Sequence, residues 1–495
     1  MSGQQSIIPN GDRPAPQETV ERALAAARPG SDCVIVADEG STANLRWAGN
    51  TLTTNGVAAS RSLTVISIDR RADGTAGVGV VSRSGVRPDQ VEDVVREAEK
   101  AAAEASAAED AEELVTGEAG HRSEHSASPG GRPPGTPRWD EPAAATSIGV
   151  FRGFAEQLGE TLRTAEAAGR KLYGFAEHGV TSTFLGTSAG VRLRYDQPAG
   201  RLELNAKSAD LARSAWDGAA TRDFTDIDVA GMDAGLAERL SWQARRVELP
   251  AGRYETLLPP TAVADLMINL YWTAGARDAG EGRTVFSLPG GSLGRGTGTR
   301  IGEQLSAVAV DLFSDPSYPG LECAPFVVAH ASGRDSSVFD NGLPAGRAAW
   351  ISGGRLSALH SSRYSARLAG LPVTPAVDNL VMAADSSASL SSMIGATKRG
   401  LLLTCLWYIR EVDPQTLLLT GLTRDGVYLV EEGEVVGAVN NFRFNESPVG
   451  MLSRLLEVGA TQQTLPREWS DYFTRAAMPP LRVEGFNMSS VSQAS

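Results

Sequence analysis

The chain has 495 residues, with 46 Lys and Arg against 59 Asp and Glu, a formal net charge of −13. That balance argues against a general nucleic-acid binder, which needs a basic face to displace counterions. With 42% apolar and 21% charged residues, the composition is that of a globular protein and excludes a wholly disordered chain or a collagen-like or coiled-coil fibre.

In chain order, residues 1–16 read as a polar tail, with no basic stretch leading into an apolar core and hence no signal peptide. A first α+β lobe follows over 17–115. It begins with a helix at 18–27, and two strands at 43–69 flank Asn55-Gly56, a strong hairpin signal. An Asp73-Gly74 turn precedes a strand at 76–82. Residues 89–114 read as a helix, with Val91, Val94, Val95, Ala98, Ala102 and Ala105 spaced three and four apart.

Residues 116–146 break this order. Ten of the 26 residues from 117 to 142 are Gly or Pro, and Trp139 is their only large apolar side chain. Such a stretch buries too little surface to offset its ordering entropy, so it reads as a dispensable disordered insertion, with His121 and His125 inside it. A central α+β lobe over 147–248 repeats the order: helix 149–167, strands 171–207, helix 232–247. The two lobes together read as helix, antiparallel sheet and helix.

From 249 to 485 the texture becomes that of a β-rich, barrel-like domain. Short strands bracket glycine turns, at 348–360 around Gly353-Gly354 and at 416–429 around Asp425-Gly426. Helices are predicted at 261–274 and 448–457, and 486–495 reads as a tail. The fold class is therefore α+β.

Candidate chemistry is sparse. Cys33, Cys323 and Cys405 are too far apart for a disulfide framework or a metal knuckle, which fits a reducing cytosol. The longest nearly apolar run, 401–409, is about half a membrane span, so a soluble, cytoplasmic protein without membrane contact is expected. None of the five histidines is followed by Glu, so no zincin helix is present. Cys323, His330, His360 and Cys405 remain a set that only the fold can bring together. G-x-S-x-G occurs at Gly186–Gly190 and Gly290–Gly294. Ser188 precedes an alternating strand and Ser292 lies among glycines, so neither has the helix that a nucleophile elbow needs. The loop around Gly294, Arg295, Gly296 and Gly298 is a candidate backbone nest, or a flexible peptide-binding loop.

The C-terminal third carries a more specific pattern. Arg399-Gly400-Leu401-Leu402-Leu403-Thr404 leads into Trp407-Tyr408-Ile409-Arg410. Val412-Asp413-Pro414-Gln415-Thr416 then continues to Gly421-Leu422-Thr423-Arg424-Asp425-Gly426, with Asn441-Phe442-Arg443-Phe444-Asn445-Glu446-Ser447 beyond. Asp340-Asn341-Gly342-Leu343-Pro344, Arg363-Tyr364-Ser365-Ala366-Arg367 and Arg46-Trp47-Ala48-Gly49-Asn50 support it. Together these resemble the TldD/PmbA family, also labelled modulator of DNA gyrase, over about 17–484 apart from the insertion.

The resemblance implies one of two related subunits of a cytosolic zinc protease. The TldD type carries a His-Glu-x-x-x-His helix, and the TldE/PmbA type shares the fold without it. Here the corresponding helix reads Ala264-Asp265-Leu266-Met267-Ile268-Asn269-Leu270-Tyr271-Trp272, with Ile268 and Asn269 at the first His and the Glu. No zinc ligand carries over, and Cys405 is not matched to one. The implied protein is a non-catalytic TldE-type chain that binds no cofactor itself, with zinc in a TldD-like partner. A packed helix of Met267, Ile268, Leu270 and Trp272 would help close a chamber for unstructured peptides, such as leader segments or antitoxin-like proteins. Pairing as a heterodimer or a homodimer is left open. So are a self-sufficient hydrolase and a non-proteolytic adaptor.

Overall fold

The N-terminal half is built from one long hairpin, β1 (Asp32–Ala48) and β2 (Thr51–Arg70), in a computed structural model that describes residues 14–117, 138–289, 298–424 and 426–492. The hairpin does not turn at Asn55-Gly56. Those residues lie inside β2, opposite Leu45 and Asn44. The chain turns at Gly49 and Asn50, with φ of 57° and 67°, the two left-handed residues that a tight I′ hairpin needs. Asn50 is held there from outside. Its side chain donates to the Arg170 carbonyl (2.8 Å) and accepts from the Leu172 amide (2.7 Å). The Asp73-Gly74 turn does lead into β3 (Ala76–Ser84), with Gly74 at φ 84°.

With β4 (Arg170–Thr187), β5 (Arg192–Ser208) and β6 (Ser214–Thr221), these strands form one antiparallel sheet in the order β3-β2-β1-β4-β5-β6. The two predicted lobes are thus halves of a single sheet, joined where β1 pairs with β4. The reason is periodicity: Ile35, Ala37, Ala43, Leu45 and Trp47 all share one face of β1. That face carries four helices. α1 (Pro16–Ala26) and α2 (Val91–Glu104) cover its first half, and α3 (Arg152–Ala167) and α4 (Val229–Trp242) its second. α2 stops ten residues short of its predicted end, and α4 spans 229–242 rather than 232–247. The opposite face places Val34, Val36, Ile66 and Ile68 against Phe326, Val338 and Phe339 of the C-terminal half. A hydrogen bond of 3.1 Å from His330 Nε2 to Asp38 Oδ2 joins the same two halves, and it raises the imidazole pKa.

His121 and His125 lie outside the described residues, but the end of the expected disordered insertion is packed. The ring of Trp139 meets Phe184 edge-on at 5.6 Å. Arg194, almost wholly buried, donates to the carbonyls of Arg138 (2.9 Å), Glu141 (2.7 Å) and Pro142 (2.7 Å). It also pairs with Asp196 and stacks on Phe184. One buried cation on β5 therefore orders a segment whose Gly/Pro content alone argues for disorder.

The C-terminal half wraps two sheets around α5 (Pro260–Thr273), which is buried on nearly every side. The smaller sheet runs β11 (Arg355–Leu356), β10 (Ala348–Ser352), β9 (Asp311–Ser314), β12 (Leu380–Ala383), β21 (Ala476–Met478) and β20 (Gln462–Thr464). The larger runs β14 (Leu406–Asp413), β15 (Leu418–Thr423), β18 (Phe442–Glu446), β22 (Leu481–Val491), β8 (Gly252–Leu258), β13 (Arg399–Leu403), β16 (Val427–Glu431), β17 (Glu434–Val439) and β7 (Arg246–Val247). A tenth strand, β19 (Leu455–Val458), pairs with β22.

The α+β class stands, but among the described residues no sheet closes into a barrel, and β14 and β7 are open ends. Gly353 and Gly354 do turn β10 into β11. The strands flanking Asp425-Gly426 do not pair with each other. The helix predicted at 448–457 is one turn, Pro448–Leu452, followed by β19. Residues 486–491, expected as tail, complete β22, with Phe486 and Met488 buried.

Arg194→Ala should lower stability by about 3 kcal/mol, since it strands Asp196 and frees three carbonyls. Urea unfolding at unchanged slope measures this.

Candidate aromatic cleft beside helix α5

One face of α5 carries Asp265, Ile268, Asn269 and Trp272, spaced three and four apart. Asp265 is fully buried. Its Oδ1 accepts from the Glu468 amide (2.9 Å), and its carbonyl accepts from Trp469 Nε1 (3.0 Å). Thr261 Oγ1 donates to the Leu465 carbonyl (2.7 Å). These bonds lay the segment between β20 and β21 along the helix. Burial pushes the Asp265 carboxyl well above its ordinary 3.8. Its Oδ2 is buried and unpartnered among the described residues.

Glu468 then reaches edge strand β14. Its carboxylate accepts from the amides of Tyr408 (2.8 Å) and Ile409 (3.0 Å) and pairs with Arg410 (3.1 Å). The β14–β15 register shifts between Trp407 and Arg410, and Tyr408 sits at φ 56°. A non-glycine residue held left-handed costs on the order of 1–3 kcal/mol and is commonest at functional sites. Here Glu468 occupies the amides that a neighbouring strand would otherwise use.

The bulge, the 467–472 segment and Trp272 line a cleft of about 720 Å³, to which Glu203 of β5 also contributes. Trp272 meets Trp469 edge-on at 5.0 Å. The Arg467 guanidinium lies 4.2 Å from the Trp407 ring centre and 5.0 Å from that of Trp216. Met267, Ile268 and Leu270 are buried as expected of the packed helix, but Trp272 is 41% exposed and Tyr408 55%.

The other candidate residues do not converge. Cys323 packs with Ala345 and Val377, and burial pushes its thiol up to about 12. His330 pairs with Asp38. His360 is buried against Tyr271 and Trp350, with burial lowering its pKa. Cys405 is buried where β13 gives way to β14. Among the described residues no three His, Cys, Asp or Glu side chains are grouped to hold a metal. Ser188 occupies a turn, where its Oγ accepts from the Cys33 amide (3.0 Å). Ser292, Gly294, Arg295 and Gly296 lie outside the described residues. Gly298 closes the base of that loop, its carbonyl accepting from the Leu288 amide (2.9 Å).

The α5 donor set does not fit zinc. Ile268 offers no lone pair, and Asn269 spends its Nδ2 on the Asp265 carbonyl (2.8 Å). Sequence reasoning passed over Arg467, Glu468, Asp471 and Tyr472. The available signal was aromatic: four of the eight tryptophans, 216, 272, 407 and 469, converge here.

Fold and site together define an α+β protein in which a long antiparallel sheet packs on a β-rich C-terminal half built around α5. Residues 251–490 match the PmbA/TldA metallopeptidase C-terminal domain. The C-terminal half of the chain thus belongs to the TldD/PmbA family. TldE from Thermococcus kodakarensis superposes with a TM-score of 0.73 at 17% identity, over 95% of this chain and 99% of that one. A candidate modulator of DNA gyrase from Thermotoga maritima gives 0.71 at 17%, over 95% and 99%. Another from Bacteroides thetaiotaomicron gives 0.70 at 15%, over 96% and 98%. At these identities the likeness is one of fold. No curated protein matches the chain. No helix among the described residues is long and apolar enough to cross a membrane.

Burial raises the folded-state pKa of Asp265, so the folded chain holds this proton to higher pH than the unfolded chain, which releases it above about pH 4. Stability contributed by this residue therefore falls as pH rises from there toward the folded pKa. Asp265→Asn removes that decline, so its melting temperature relative to wild type should climb between pH 4 and pH 7. A constant difference across that range contradicts a raised pKa for Asp265.

Proposed function

We infer that this chain is the non-catalytic, TldE/PmbA-type subunit of a cytoplasmic TldD-type zinc peptidase complex acting on unstructured peptides. The observation that carries this is α5 itself. In a domain of the metallopeptidase family, the helix that would bear the zinc motif instead carries a buried Ile268 and a hydrogen-bonded Asn269.

The partner would supply the zinc and the base that activates water. This chain would supply a wall of the chamber, and its cleft would receive peptide rather than cut it. The aromatic lining supports that reading, because rigid rings give large contact area at low entropic cost. The fold likeness to TldE is consistent with it.

The test incubates an unfolded peptide with this chain alone, with a TldD-type partner alone, and with both, each with and without chelator. Cleavage should require the partner and vanish with chelator. Cleavage by this chain alone overturns the reading.

A further inference from the structure

Among the described residues, the cleft lining holds one cation that makes no hydrogen bond or ion pair. Glu468 is saturated by two amides and Arg410. Asp471 pairs with Arg201. Glu203 accepts from Trp216 Nε1 (3.1 Å) and Ser470 Oγ (3.4 Å). Arg467 differs. Its Nε is buried without a partner, and among the described residues its guanidinium forms no hydrogen bond or ion pair.

Stacking by Trp407 and Trp216 holds this guanidinium in place and shields its faces from water. An immobilised planar fork suits a planar carboxylate, which it can bind through two parallel hydrogen bonds. Beside it, Trp272, Tyr408 and Tyr472 expose aromatic surface, Tyr472 being 77% exposed. Exposed rings gathered at one cleft mark a contact site. The strained Tyr408 backbone presents one of these rings, and the volume is that of a ligand pocket.

We propose that this cleft binds an extended peptide carrying an aromatic side chain next to a carboxylate. The ring lies among Trp272, Tyr408 and Tyr472, and the carboxylate lies on Arg467. That carboxylate is either the peptide's C-terminus or an Asp or Glu side chain. Glu203 and Asp471 on the same lining disfavour a second negative charge, so runs of acidic residues are rejected. The proposal takes its ligand class from the peptide-complex reading, but it concerns binding by this chain alone.

The test uses the full chain without partner, in chelator, and fluorescence anisotropy of labelled Gly/Ser heptapeptides. One ends in Phe as the free acid, a second is its C-terminal amide, a third replaces Phe by Ala, and a fourth is an amide with internal Phe-Asp. The free acid should bind at least tenfold more tightly than the Ala peptide, and the acid or the Phe-Asp amide at least tenfold more tightly than the plain amide. If the Phe-Asp amide matches the acid, a side-chain carboxylate suffices. If it matches the plain amide, the site reads C-termini.

Arg467→Gln should abolish the preference for the carboxylate while leaving the plain amide's weak binding within twofold. Tyr408→Gly, which suits the left-handed backbone, and Tyr472→Ala, which loses an exposed ring, should fold normally and weaken the acid at least fivefold. These two variants decide the matter if Arg467→Gln does not fold. Equal binding of the acid, the plain amide and the Phe-Asp amide, no saturation by any peptide, or wild-type affinity in both Tyr variants overturns the proposal. Because no partner is present, failure of the cleavage test leaves this result standing, and the reverse also holds.

Discussion

A single buried carboxyl organises the cleft. Asp265 on α5 accepts the Glu468 amide, which sets the 465–473 segment against the helix. That contact aims the Glu468 carboxylate at β14, and the carboxylate holds the bulge that carries Tyr408. The helix thus reaches the rim of the cleft through two acidic residues in series. Burial raises the pKa of the first, while two amides and an arginine hold the second. The α5 face thus serves to place aromatic rings at the cleft.

The N-terminal sheet reaches the cleft through Glu203, and it packs on helices along one face and on the C-terminal half over part of the other. Helices take the face of Ile35, Leu45 and Trp47, and the C-terminal half takes that of Val34 and Val36. Glu203, on the strand beside that of Trp216, lines the same cleft as Arg467. Further contacts lock the halves together. Arg363 pairs with the buried Asp340 at 2.6 Å and also donates to the Glu113 carbonyl at 2.9 Å. This joins two of the segments that carry the family resemblance. Asn341 beside them spends its amide on the carbonyls of Ala329 and Val338.

Local signals were legible where the local chain decided the outcome. The apolar run of α5 and the Gly353-Gly354 turn both read correctly. Asn55-Gly56 misled because the hairpin end is chosen by β4. Arg170 and Leu172 bind the Asn50 amide, and nothing within fifty residues announces that. Residues 138–142 misled for the same reason, their order being imposed by Arg194 more than fifty residues on. The cleft was the least legible feature. Its walls come from residues 203, 272, 408 and 467, and only the packed fold brings them together. The missing His-Glu pair, by contrast, was plain in the sequence.

The bulge on β14 governs how selective this surface can be. A bare strand edge accepts any extended chain, because main-chain hydrogen bonds are the same for every residue. With Glu468 occupying the Tyr408 and Ile409 amides, that sequence-blind mode is unavailable at this stretch of edge. What remains to a visiting chain is contact with rings and one guanidinium, which depends on what its side chains are. By satisfying its own edge, the molecule exchanges breadth of recognition for discrimination.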